Sequence, residues 1–175
     1  LRYSQKSGAG ALVRVHEKEI VTLFRWPGMT MALRREFWLK QRSIAKSIDA
    51  PHDRVLALLA ASSGGMFFLD MPLCSHRLHT SNNGGEVDSA AQVLSCAFKK
   101  KELSTSLRWL DAQLSCADVF SSDAQSALKG YREYVSLRLN AIEKRSLWLL
   151  PKTLRCKGYI HWKGLASDVL AILRG

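Results

Sequence analysis

The chain is 175 residues long, 47% hydrophobic, with a formal net charge of +11. That apolar fraction can fill a sizeable core and excludes a disordered chain, and the four scattered cysteines (Cys74, Cys96, Cys116, Cys156) exclude a disulfide-dense framework and read as reduced thiols. The longest uncharged run, residues 55–69, contains Ser62-Ser63-Gly64-Gly65 and falls short of the roughly twenty apolar residues of a spanning helix, so no transmembrane segment is expected.

Before Glu17 the chain carries Arg2, Lys6, Arg14 and His16 and no acid. This resembles the tail of a mitochondrial transit peptide, with Arg2-Tyr3-Ser4 similar to a matrix-processing site, and the expected location is the mitochondrial matrix side. Val13, His16, Ile20 and Phe24 recur at helical spacing, predicting a first helix over about 12–24 that ends at Pro27-Gly28. Thr30 is placed to cap a second helix, about 31–48, whose core stripe would be Leu33, Phe37, Ile44 and Ile48. Pro51 suits the first turn of a third helix, about 52–61, and the N-terminal third therefore reads as a three-helix unit with a basic arm.

Residues 62–85 read as a long loop. Gly64-Gly65, Asn82-Asn83 and Gly84-Gly85 bracket an apolar run, residues 66–69, that would anchor the loop on a partner. Helices at about 86–99 and 102–115 follow, with Lys99-Lys100-Lys101 at their junction, and a long amphipathic helix runs from a capping box at Ser122 to Pro151. From Thr153 to Lys163 the period changes to two, with Leu154, Cys156, Gly158, Ile160 and Trp162 alternating with Thr153, Arg155, Lys157, Tyr159, His161 and Lys163. This predicts a short strand or hairpin, its even positions inward, before a last helix over about 165–173. The expected fold is mostly α: an irregular helical bundle, a short β segment near the C-terminus and one long central loop. Residues 1–61, 62–85 and 86–175 form its three parts, within one domain or two.

The charge is divided unevenly: +6 over residues 1–60, −1 over 61–121 and +6 over 122–175. Two basic ends call for a polyanionic partner. Arg34, Trp38, Arg42 and Lys46 are spaced four apart with Arg35 beside them, so on a helix they form a cationic stripe with one aromatic. Such a stripe grips phosphates while the ring stacks on a base. On the expected strand, Arg155, Lys157, Tyr159, His161 and Lys163 would project from one face, combining charge with flat rings. Cys74, His76 and His79 lie close together, but C-x-H-x-x-H is not a zinc framework, and no metal or other cofactor is expected. There is no phosphate-binding glycine loop, no G-x-S-x-G elbow, no H-E-x-x-H helix and no paired carboxylates, so the expectation is a non-catalytic protein.

Leu23-Phe24-Arg25, then Arg34-Arg35-Glu36-Phe37 and Asp49 before Leu58-Leu59, resembles the LYR-motif proteins across roughly residues 20–60. These are small three-helix mitochondrial accessory subunits and assembly factors that bind acyl carrier protein. Here Phe24 stands in place of the tyrosine, Pro27-Gly28 interrupts the first helix, and the gap to Phe37 is short. The resemblance implies carrier-protein contact through Arg25 and Phe37. The leading expectation from the residues themselves is a structural subunit of the mitochondrial ribosome, contacting rRNA and neighbouring subunits. The alternative is an accessory subunit of a respiratory-chain or ATP synthase complex, whose partners would be acidic proteins or cardiolipin.

Overall fold

The computed structural model describes residues 10–23, 30–69, 71, 73 and 94–174, and it is mostly helical with one small antiparallel sheet. The elements are β1 (Leu12–Val15), α1 (Glu17–Leu23), α2 (Arg35–Ser47), α3 (His52–Ser63), β2 (Met66–Leu69), α4 (Cys96–Leu114), α5 (Ser122–Glu143) and α6 (Trp162–Arg174). Short 3-10 turns occupy Ala117–Val119, and a longer 3-10 segment runs over Leu147–Tyr159. No helix among the described residues is long and apolar enough to cross a membrane. The described residues fall into two compact units, one of residues 10–73 and 112–128, the other of residues 94–111 and 129–174.

In the first unit α3 is the central element. Val55, Leu56, Ala57, Leu58, Leu59 and Ala61 are all buried, so α3 is apolar around most of its circumference, and α1 and α2 both pack against it. Arg54 donates from Nη2 to the Val21 carbonyl at 3.0 Å, tying α3 to α1. At the start of α1 the Glu19 carboxylate accepts from the His16 backbone N–H at 3.1 Å, one half of a capping box. Gly65, with φ +115°, turns the chain out of α3 into β2 in a conformation that side chains resist.

β2 pairs antiparallel with β1, Val15 opposite Met66 and Leu12 opposite Leu69. The first expected helix is therefore shorter than its periodicity suggested. Val13 and Val15 are β-branched and alternate inward with exposed Leu12 and Arg14, and the apolar run of residues 66–69, expected within the central loop, supplies the strand they need. Residues 62 and 63 of that expected loop complete α3, Met71 and Leu73 are exposed, and residues 74–85, with the expected helix residues 86–93, lie outside the described residues.

In the second unit the expected break at Lys99-Lys100-Lys101 is absent, and α4 runs through it. Lysine is a good helix former and no glycine or proline intervenes. Buried Lys99 is neutralised by Glu102 at 2.8 Å, and Lys100 reaches Glu143 at 3.7 Å. α5 begins one residue after its cap: the Ser121 hydroxyl, not Ser122, accepts from the Ala124 N–H at 3.2 Å. It ends at Glu143 rather than near Pro151, because Arg145 takes a left-handed φ of 47° and the Ser146 N–H returns to the Ala141 carbonyl.

The expected C-terminal strand is also corrected: residues 147–159 form 3-10 turns. The parity fails with it. Thr153, an outward position of the strand, is fully buried and donates to the Leu150 carbonyl at 2.6 Å, while Leu154, an inward one, is exposed. A strand needs a ladder, and no strand among the described residues of this unit supplies one.

Candidate nucleic-acid interface

α2 buries Gln41 and Ala45 and half-buries Phe37 and Ile44, with Ile48 buried just beyond its end. Leu33, expected in that stripe, precedes the helix and is exposed, and Arg34 rather than Thr30 stands at the N-cap. An exposed flank of the helix, beside Gln41 and Ala45, carries the cationic stripe at its four-residue spacing. Arg35, Trp38, Arg42 and Lys46 are all exposed, Trp38 at 37%, with exposed Arg34 leading into the helix. Along α2 the residues at 38, 42 and 46 rise by roughly 6 Å each. Among the described residues none of Arg34, Arg35, Arg42 and Lys46 makes an ion pair, and Glu36 is the lone acid of the helix. A row of unneutralised cations around one partly exposed indole can hold a phosphodiester strand without sequence preference.

The second set of expected RNA-binding residues shares no face. Arg155 is exposed in the 3-10 segment, Lys163 is exposed in the first turn of α6, and the Lys157 side chain lies outside the described residues. Tyr159 is a packing residue: its ring lies so close to α5 that a Cβ on Gly130 would fall 2.5 Å from it, and it sits 6.2 Å from the Tyr131 ring. Burial raises the Tyr159 phenol above its ordinary value, and the Cys156 thiol adds to the shift. His161 is the cap of α6, its Nδ1 accepting from the Gly164 N–H at 3.2 Å. Of the two rings of the expected strand, Tyr159 is thus committed to packing, while His161 is exposed and engaged through Nδ1.

The sequence reading missed what organises this unit. Arg138 and Asp168, 7% and 0% exposed, form a two-point ion pair, Nε to Oδ2 at 2.6 Å and Nη2 to Oδ1 at 2.9 Å. Burial works against the Arg138 charge, but the hydrogen bonds and the Asp168 carboxylate outweigh it and hold the guanidinium protonated above its ordinary range. The guanidinium also lies 5.4 Å from the Tyr134 ring centroid, and the Tyr134 hydroxyl accepts from the His161 N–H at 3.2 Å. The available signal was compositional: Asp168 is the sole acid after Glu143.

Cys74, His76, His79 and Arg25 lie outside the described residues. Phe37, the other position that the LYR resemblance implicated, is half-buried in α2. Among the described residues no group of three or more His, Cys, Asp or Glu could hold a metal ion. No protein-family model, no curated protein and no solved structure matches the chain.

Proposed function

We propose that this chain is a non-catalytic structural subunit of a large mitochondrial assembly, the mitochondrial ribosome, and that it holds rRNA through the exposed face of α2. The observation that carries the reading is the row Arg34, Arg35, Arg42 and Lys46, exposed and without ion pairs among the described residues, around Trp38. The net charge of +11 and the acid-free basic stretch before Glu17 support a polyanionic partner and an organellar setting.

The test is sedimentation of the endogenous protein with and without nuclease, joined to RNA binding by the purified chain. The protein should travel with large ribonucleoprotein particles and leave them after nuclease or high salt. Arg35→Glu with Arg42→Glu should weaken binding to unrelated RNA sequences and lower the salt slope by roughly 1.4, about 0.7 per lost single-strand phosphate contact. Helix content should stay the same. Co-migration with detergent-solubilised respiratory complexes, insensitive to nuclease, would replace this reading with that of an accessory subunit.

A further inference from the structure

The second unit displays apolar side chains that the fold leaves uncovered. Trp148 is 90% exposed, Trp162 68% and Leu173 65%, and Leu147, Leu154 and Leu170 are exposed as well. On α6 the positions 162, 166, 170 and 173 follow a helical repeat, so Trp162, Leu170 and Leu173 share one side of the helix, away from buried Asp168, Ala171 and Ile172. The 3-10 segment, which carries Leu147, Trp148 and Leu154, packs against α6.

The charge around these side chains has one sign. Lys144, Arg145, Lys152, Arg155, Lys163 and Arg174 are all exposed, and none makes an ion pair among the described residues. The sole acid of the stretch, Asp168, is fully buried and consumed by Arg138. Within residues 144–174 no exposed acid offsets the cations, and the Glu133 carboxylate of α5 is the acid that acts on the segment, at Cys156.

We infer that residues 144–174 dock peripherally on an anionic lipid bilayer, the indoles and leucines entering the headgroup boundary and the six cations meeting lipid phosphates. Tryptophan gains most at that boundary, where one edge of the ring is wet and the rest is not. The leucines favour lipid over RNA as the occupant: aliphatic side chains gain nothing from a sugar-phosphate strand, whereas Leu147, Leu154, Leu170 and Leu173 beside two exposed indoles suit a headgroup boundary. With 13 residues, α6 spans about 20 Å and lies on the surface rather than crossing it. This docking is independent of α2 and is compatible with either kind of assembly.

The experiment is flotation of the full chain with vesicles of phosphatidylcholine containing one-fifth cardiolipin, or one-fifth phosphatidylserine, beside vesicles of phosphatidylcholine alone. The wild-type chain should float with both anionic compositions and remain behind with the neutral one, and binding should fall with salt. Flotation with cardiolipin alone would narrow the surface to that headgroup. Trp148→Ser with Trp162→Ser, both at exposed positions, should reduce partition by at least about tenfold at unchanged helix content. Lys152→Glu with Arg155→Glu should do the same, since each cation near an anionic surface contributes roughly fivefold. Failure of wild type to float with anionic vesicles, or flotation of both double variants like wild type, would overturn the inference. It is equally overturned if the tryptophan pair alters binding to a uridine homopolymer and leaves flotation intact, which would assign the surface to RNA.

Discussion

At Asp168 the chain buries a carboxylate completely and answers it with Arg138 from α5. Removing either partner leaves the other charged and unsolvated, so Asp168→Asn or Arg138→Met should each cost about 3–5 kcal/mol, read by chemical denaturation. Replacing both, Arg138→Met with Asp168→Leu, should recover most of that loss, because the desolvation of both ions disappears with them. A pH effect originates nearby. Burial, aided by the Glu133 carboxylate, raises the Cys156 thiol above its ordinary 9.0, and burial raises Tyr159 above 10.0. Between the unfolded and folded values the folded chain binds more protons than the unfolded one, so their contribution is complete below about pH 9 and is lost as pH rises through the folded values. The thermal midpoint should therefore fall above about pH 9, and Cys156→Ala should move the onset toward 10.

The helix termini set the scale of the element. Arg145 occupies the left-handed position after α5 that glycine fills at no steric cost, and Arg145→Gly should stabilise the protein by about 1 kcal/mol in thermal unfolding. Inside α5 the reverse holds at Gly130. An alanine there would gain about 1 kcal/mol of helix propensity were the space open, but its Cβ would meet the Tyr159 ring at 2.5 Å. Gly130→Ala should thus be destabilising in the wild-type background and stabilising in a Tyr159→Ala background, a sign reversal that a double-mutant cycle reads directly. By contrast, the exposed Arg132–Asp111 bridge should contribute under about 1 kcal/mol.

At the largest scale, the described residues carry two cationic surfaces of different character, a helix face with one indole and a stretch with exposed indoles and leucines. The helical class and the exposed stripe of α2 were legible in the residue order. Both follow from spacing along one element: apolar residues recurring at helical intervals find a core wherever the helix packs, and Arg35, Trp38, Arg42 and Lys46 share a face however the rest folds. Residue order could not locate the β structure, because a strand is defined by its ladder. Val13 stands in a helical series with His16 and Ile20 yet lies in a strand that finds Met66–Leu69 as a partner, while residues 153–163 alternate cleanly and find none. Which polar groups are buried was settled by packing between elements. The pairing of Arg138 with Asp168 joins residues thirty positions apart and consumes the sole acid of the C-terminal stretch, so that the exposed charges of residues 144–174 are all cationic. Local pattern carries no record of such a contact, because its favourable energy exists only once packing has excluded water from both charges.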